Sequence, residues 1–233
     1  MVKVIAVASY KGGVGKSTLS VNLAAAIQGL GLRTALFDMD CQESSLGWFG
    51  RRPPSDLRAE AVAAEVLGIR IAVAAMNTDM IVIDTPPRAS VEAEEAIAHA
   101  DIVLTPCRPS LPDLEAIRRT AALLAETGRT GYVVINAAPP TATAMIEDTR
   151  GRALRPGMRL APTVLRQRCG YRACWGLGRG VTEFEPGGKA AMEIRGLTDF
   201  VLHALDVVSP AILPILHDAG PSGFQSHRAG AVI

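Results

Sequence analysis

The stretch SYKGGVGKST, residues 9–18, decides how the rest of this chain is read. It follows the strand-like run KVIAVAS and precedes the helical run STLSVNLAAAIQGLG. A strand, a glycine-rich turn and a helix in that order form a phosphate cradle. Backbone N–H groups converge on the anion, and the helix N-terminus adds about half a positive charge. The usual pattern, G-x-x-x-x-G-K-[ST], has its first glycine five positions before the second. Counting back from Gly15 reaches Tyr10, and Lys11 follows it, so a glycine is missing and a cation has been added. Gly12, Gly13, Val14 and Gly15 are expected to wrap the phosphates. Lys16 is expected to pair with the β and γ groups, and the Ser17 hydroxyl, followed by Thr18, to ligate Mg²⁺. The chain has four lysines, Lys3, Lys11, Lys16 and Lys189, and two of them stand in this one loop.

Further along, strand-like and helix-like segments alternate. RTALFDMD, MIVIDTPP, DIVLTPC and GYVVINA read as strands, with a shorter one at RLAPTVL. LRAEAVAAEVLG, LPDLEAIRRTAALLAETG and a closing GGKAAMEIRGLTDFVLHALD read as helices. In the first helix Leu19, Leu23, Ala26, Ile27 and Leu30 fall on one face. The alternation predicts an α/β fold of the three-layer P-loop type, a mostly parallel sheet with helices on both faces. One domain is expected over residues 1–207, with a C-terminal tail at 208–233.

Composition agrees with a soluble globular protein of ordinary type. Of 233 residues, 48% are hydrophobic and 20% charged, and no apolar run is long enough to span a membrane. The N-terminus has no signal-peptide layout, and four scattered cysteines suit a reduced cytoplasm. The net charge of +1 conceals an imbalance. Residues 150–195 carry ten basic and three acidic side chains, a net +7, which leaves −6 on the remainder. A basic third on a near-neutral protein suits either a polyanion-facing surface or a solvated face of dispersed arginines.

Three carboxylates complete the candidate site. Asp38 and Asp40 close the LFDMD run, two residues apart and so on one face of a strand. They suit a metal and an attacking water, or alternatively a helix cap. Asp84 ends IVID where ligands bind in open α/β sheets, the Walker-B position that holds Mg²⁺.

The loop KGGVGKST resembles the deviant Walker A motif of the ParA/MinD superfamily of P-loop ATPases. FDMDCQESSLGW resembles that group's double-aspartate stretch, and IVIDTPP its Walker-B strand. ADIVLTPCRPSLPDLEAI and GVTEFEPGGKAAMEIRGL are similar to later ParA segments, so the resemblance spans residues 2–205. It departs at Cys41, where relatives have proline. The resemblance implies an Mg-dependent ATPase of weak unaided activity, and gives the extra lysine a purpose. Lys11 would reach across an ATP-sandwich homodimer to the partner's phosphates, with Lys11, Lys16, Asp38 and Asp40 as the catalytic set and Asn136 near adenine. It further implies non-specific DNA binding, here assigned to Arg166, Arg168, Arg172, Lys189 and Arg195. A ParB-like or other cargo adaptor would stimulate hydrolysis. The cargo class covers plasmid, chromosome and microcompartment, and the ATP form would sit on the nucleoid. The alternative is a MinD-like ATPase held on a membrane by a basic C-terminal helix; the tail, with three prolines and Arg228 as its one arginine or lysine, argues for DNA instead. An iron–sulfur-linked relative would need paired cysteines, and no C-x-x-C is present.

Overall fold

The computed structural model describes residues 1–153 and 156–208. The sequence expectation for the tail therefore falls almost wholly outside the described residues. Seven strands form one sheet in the order β3-β2-β4-β1-β5-β6-β7, every neighbouring pair parallel. They are β1 (Lys3–Val7), β2 (Thr34–Asp38), β3 (Arg58–Ala61), β4 (Met80–Asp84), β5 (Ile102–Cys107), β6 (Gly131–Ile135) and β7 (Met158–Leu160). The P-loop fold read from the sequence is thus present, and parallel throughout.

Strand alternation divides the core into two layers. Ile5, Val7, Leu36, Met80, Val82 and Leu104 face one way, and Val4, Ala6, Phe37, Ile81, Ile83 and Val103 the other. The first layer is covered by α1 (Lys16–Gly29) and α9 (Lys189–Ala204), with α2 (Ser44–Phe49), α7 (Cys169–Trp175) and α8 (Val181–Phe184). The second is covered by α3 (Leu67–Ala74), α4 (Val91–His99), α5 (Leu111–Thr127) and α6 (Thr143–Ala153). Burial on both faces is why β1, β2, β4 and β5 read as apolar runs rather than alternating ones.

Two segments differ from the sequence reading. LRAEAVAAEVLG is not one helix: Arg58–Ala61 pairs with β2 as an edge strand, and a 3₁₀ turn at Ala64–Val66 leads into α3. Its alanines and glutamates favour a helix locally, but the open edge of β2 supplies backbone partners, and pairing wins. Helix α1 is buried on all sides from Leu19 to Ile27, not along one stripe. It is wedged between the sheet and α8/α9, so Ser20 and Asn22 must find partners inside. Asn22 Oδ1 accepts from the Val181 N–H at 2.8 Å and thereby pins α8.

The chain leaves β1 toward β2 through α1 on one face, and leaves β5 toward β6 through α5 on the opposite face. Since β1 and β5 are neighbours, a crevice opens between their carboxyl ends, the place where open α/β sheets bind ligands.

Candidate nucleotide site

The glycine loop lies in that crevice. Gly15 caps α1 in the left-handed region, φ 94°, and Gly13 has φ 74°, conformations that side chains with a Cβ resist. Gly15 is also sterically enclosed, since an added Cβ would lie 2.5 Å from Asn136 Nδ2. That amide donates to the Val14 carbonyl at 2.6 Å and so ties the loop to the end of β6. Lys16 is 6% exposed, and its ammonium donates to the Lys11 carbonyl at 3.3 Å. Burial lowers the Lys16 pKa, and the nearby Asp84 and Asp40 charges pull it back up. Lys11 itself is exposed and does not line the cleft that Lys16 floors.

Register brings the carboxylates together. Asp38 and Asp84 are Cα partners across β2 and β4, at the carboxyl edge of the sheet. Asp84 is 0% exposed and accepts from Ser20 Oγ at 3.2 Å and Ser45 Oγ at 2.6 Å, with Ser17 hydroxyl beside it. Burial raises its pKa to about 6, against the lowering effect of these hydroxyls; Asp38 adds to the rise and Lys16 opposes it. Asp38 accepts from the Ser45 and Leu46 N–H groups at 2.9 and 3.0 Å, and from the Asp40 N–H at 3.1 Å. Its carboxylate therefore serves the first turn of α2, the cap arrangement left open by the sequence, and burial raises its pKa. Asp40 differs: it lines the cleft, partly exposed, and among the described residues its carboxylate accepts only the local Gln42 N–H at 3.0 Å.

The cleft has a volume of about 620 Å³, large enough for a nucleoside triphosphate. Residues 13–19, Asp40 and Asn136 line its phosphate end, and Leu165, Gln167, Tyr171 and Trp175 its far end. Two features fit a nucleotide. Ser17 and Asp40 in the lining offer the hard oxygen donors that Mg²⁺ takes alongside phosphate and water, although no cluster of three or more Asp, Glu, His or Cys placed to hold a metal exists among the described residues. At the far end the Tyr171 hydroxyl is buried with no hydrogen-bond partner among the described residues, a polar atom available to a base or sugar.

The five arginines and lysines predicted to meet DNA do not form one group. Arg166, Arg168 and Arg172 line the nucleotide cleft. Arg168 is paired with Glu193 at 2.7 Å, and Arg166 donates to the Pro139 and Pro140 carbonyls at 3.2 and 3.0 Å. Lys189 and Arg195 are exposed on α9, away from the cleft lining. Sequence reasoning missed Ser45 and Ser20, which donate to the two oxygens of Asp84, and Arg108, whose guanidinium reaches the Gly13 carbonyl. Ser45 lay within the double-aspartate stretch, where its place was the available signal.

A family model, the CobQ/CobB/MinD/ParA nucleotide binding domain, matches residues 5–169. The chain belongs to this family. Among relatives of the CobQ/CobB/MinD/ParA domain, the maintenance of carboxysome distribution protein A of Halothiobacillus neapolitanus is 27% identical over 219 residues, covering 89% of this chain and 96% of the relative. The chromosome-partitioning ATPase Soj of Thermus thermophilus is 28% identical over 155 residues, 54% of this chain and 62% of Soj. An iron–sulfur cluster carrier protein of Haemophilus influenzae is 26% identical over 237 residues, 91% of this chain and 61% of the carrier. The fold matches the ATP complex of Cyanothece McdA with a TM-score of 0.71 at 16% identity, over 89% of this chain and 97% of McdA. It also matches MinD of Pyrococcus horikoshii complexed with Mg-ADP, with a TM-score of 0.71 at 18% identity, over 86% and 96% of the two chains. Among the described residues no helix is long and apolar enough to cross a membrane.

Proposed function

We propose that this nucleotide-binding domain is a ParA-like ATPase that positions cargo by cycling between an ATP-bound dimer and a released form. The observation that carries this reading is Lys11, an exposed cation set beside a complete phosphate cradle yet outside its lining. A second nucleotide facing the loop would stabilise such a charge, which makes ATP the switch between monomer and sandwich dimer.

Within one protomer the loop N–H groups from Gly12 to Gly15 would hold the phosphates, Lys16 would neutralise the outer two, and Ser17 would help hold the metal. A magnesium ion bound there would supply positive charge against the phosphates. Asp84, buried and holding one hydroxyl on each oxygen, would act on the metal through Ser17 or a water. Asp38 shapes the α2 turn that presents Asp40 and Ser44 to the cleft, and Asp40, with lone pairs to spare, is placed to orient the attacking water. Tyr171 and Trp175, in the lining beyond the loop, would meet the base and sugar, while Asn136 braces the loop through the Val14 carbonyl.

The dimer's polyanion surface rests on Lys189 and Arg195, with Arg172 at the cleft rim and Arg166 and Arg168 largely committed inside the fold. One relative, covering 89% of this chain, is named for carboxysome distribution and another for chromosome partitioning, so the reading extends to DNA as track and to a large assembly or replicon as cargo. A cargo-bound adaptor would trigger hydrolysis. The test is binding to random duplex DNA with ATP, with ADP and without nucleotide, at two salt concentrations. ATP-dependent, salt-sensitive binding is expected. No binding in any state, together with ATP-dependent flotation on anionic liposomes, would move the reading to a MinD-like membrane switch.

A further inference from the structure

The phosphate end of the cleft holds a cation to which the sequence reading gave no role. Arg108 follows β5, the neighbour of β1, and donates from Nη2 to the carbonyl of Gly13 across the crevice. Its main chain is fixed on several sides. The Arg108 N–H donates to Asp113 Oδ2 at 3.2 Å, and the Arg108 carbonyl accepts from the Ser110 N–H at 2.7 Å and from the Cys107 thiol at 3.1 Å. The side chain, by contrast, is exposed and has no ion-pair partner among the described residues. Arg168, at the other end of the cleft, is neutralised by Glu193.

A rigid base carrying an uncompensated guanidinium beside a phosphate cradle is built to meet an anion. The Gly13 carbonyl is a neutral acceptor, and a phosphate oxygen in the same crevice accepts about twice as strongly. Lys16, which reaches the outer phosphates, bonds the Lys11 carbonyl two residues from Gly13, so both cations attend the same end of the loop. We propose that Arg108 is a phosphate-contacting residue supplied in cis, which exchanges the Gly13 carbonyl for an oxygen of the terminal phosphates of bound ATP. It is then an intrinsic charge-stabilising cation, present in each protomer before any partner arrives, and it makes the loop sensitive to whether ATP or ADP is bound.

This rests on the ATP reading above, and the experiment separates the two. Affinities for ATP and ADP are measured by titration calorimetry with Mg²⁺ on the full chain, on R108A and on R108K, alongside kcat and KM for hydrolysis. R108A is expected to weaken ATP roughly tenfold, the usual loss for a charged hydrogen bond, with ADP changed far less. R108K should recover part of the loss, since lysine supplies the charge without the fork. Equal losses for ATP and ADP without rescue by lysine would make Arg108 a brace for the loop and overturn the proposal, as would affinities unchanged in R108A. If the unmodified chain binds neither nucleotide, the ATP reading itself fails and Arg108 falls with it.

Discussion

Replacing Gly15 with alanine tests the loop geometry most directly. Two costs follow from the structure. At φ 94° a Cβ strains the backbone by about 1–2 kcal/mol. The same Cβ would lie 2.5 Å from Asn136 Nδ2, so the amide must swing away and give up its 2.6 Å bond to the Val14 carbonyl, a further loss of about 1 kcal/mol. Gly15→Ala should therefore lower unfolding free energy by about 2–3 kcal/mol, read from urea denaturation without nucleotide. The two costs separate in a cycle with Asn136→Ala. Once the amide is gone only the backbone strain remains, so the double variant should be about 1 kcal/mol more stable than the sum of the singles predicts. Gly29→Ala, at the end of the same helix with nothing within 4 Å of the added methyl, is the control and should be neutral or stabilising by up to about 1 kcal/mol. Strict additivity of Gly15→Ala and Asn136→Ala would refute the enclosure of Gly15 by Asn136. A Gly15→Ala variant as stable as the parent would refute the left-handed loop as well.

Asp84 sets a pH dependence in buffer free of metal and nucleotide. Its pKa is about 6 when folded against 3.8 for an ordinary aspartate carboxyl, so the folded state holds a proton that the unfolded chain has released between those values. Stability then falls as pH rises through that window, by about 3 kcal/mol in all, and stays lowered above it. Asp84→Asn should be more stable than the parent at pH 7.5 and lose that advantage by pH 4; the same difference at both pH values would contradict the burial argument. Glu193→Ala should cost about 1–3 kcal/mol, because Arg168 and the Arg166 N–H lose their shared acceptor, and Glu193→Gln should cost less by keeping one oxygen. Equal urea midpoints for the two variants would remove Glu193 as the tie between α9 and the cleft rim. For the switch, Lys16→Ala should abolish ATP binding, measured by calorimetry. Lys11→Ala should bind ATP yet stay monomeric by sedimentation, and Asp40→Ala should hold the ATP dimer without turnover; a normal ATP dimer in Lys11→Ala would end the cross-chain role.

The pairing of Arg168 with Glu193 also bears on how the basic third of the chain works. Its net charge is a property of the sequence, but charge density on a surface is not. Arg166 and Arg168 spend their donors on Pro139, Pro140 and Glu193, and so stiffen the rim of the cleft around the loop at Leu165–Arg168. That loop and α9 meet at Glu193, which links the nucleotide cleft with the helix bearing Lys189 and Arg195.

The sequence by itself determined the phosphate loop, because its glycines, lysine and serine act through local backbone geometry between an adjacent strand and helix. It also determined the parallel class of the sheet, since strands buried on both faces leave unbroken apolar runs such as MIVID and KVIAV. Only the tertiary structure decided that Arg58–Ala61 is a strand, because the partner that overrides its helical leaning is the edge of β2. Packing on every side, invisible to a one-stripe periodicity, made α1 the centre of a layer. The site divided along the same line. Asp38 and Asp84 were legible as carboxylates at strand ends. Which of them caps α2, and which accepts from Ser20 and Ser45, depended on the register of β2 against β4. The contact from Arg108 to Gly13 joins residues 95 apart, and only the adjacency of β1 and β5 brings them together. Local pattern encodes the shape of each piece, but contacts between distant pieces exist only once the strand order is set.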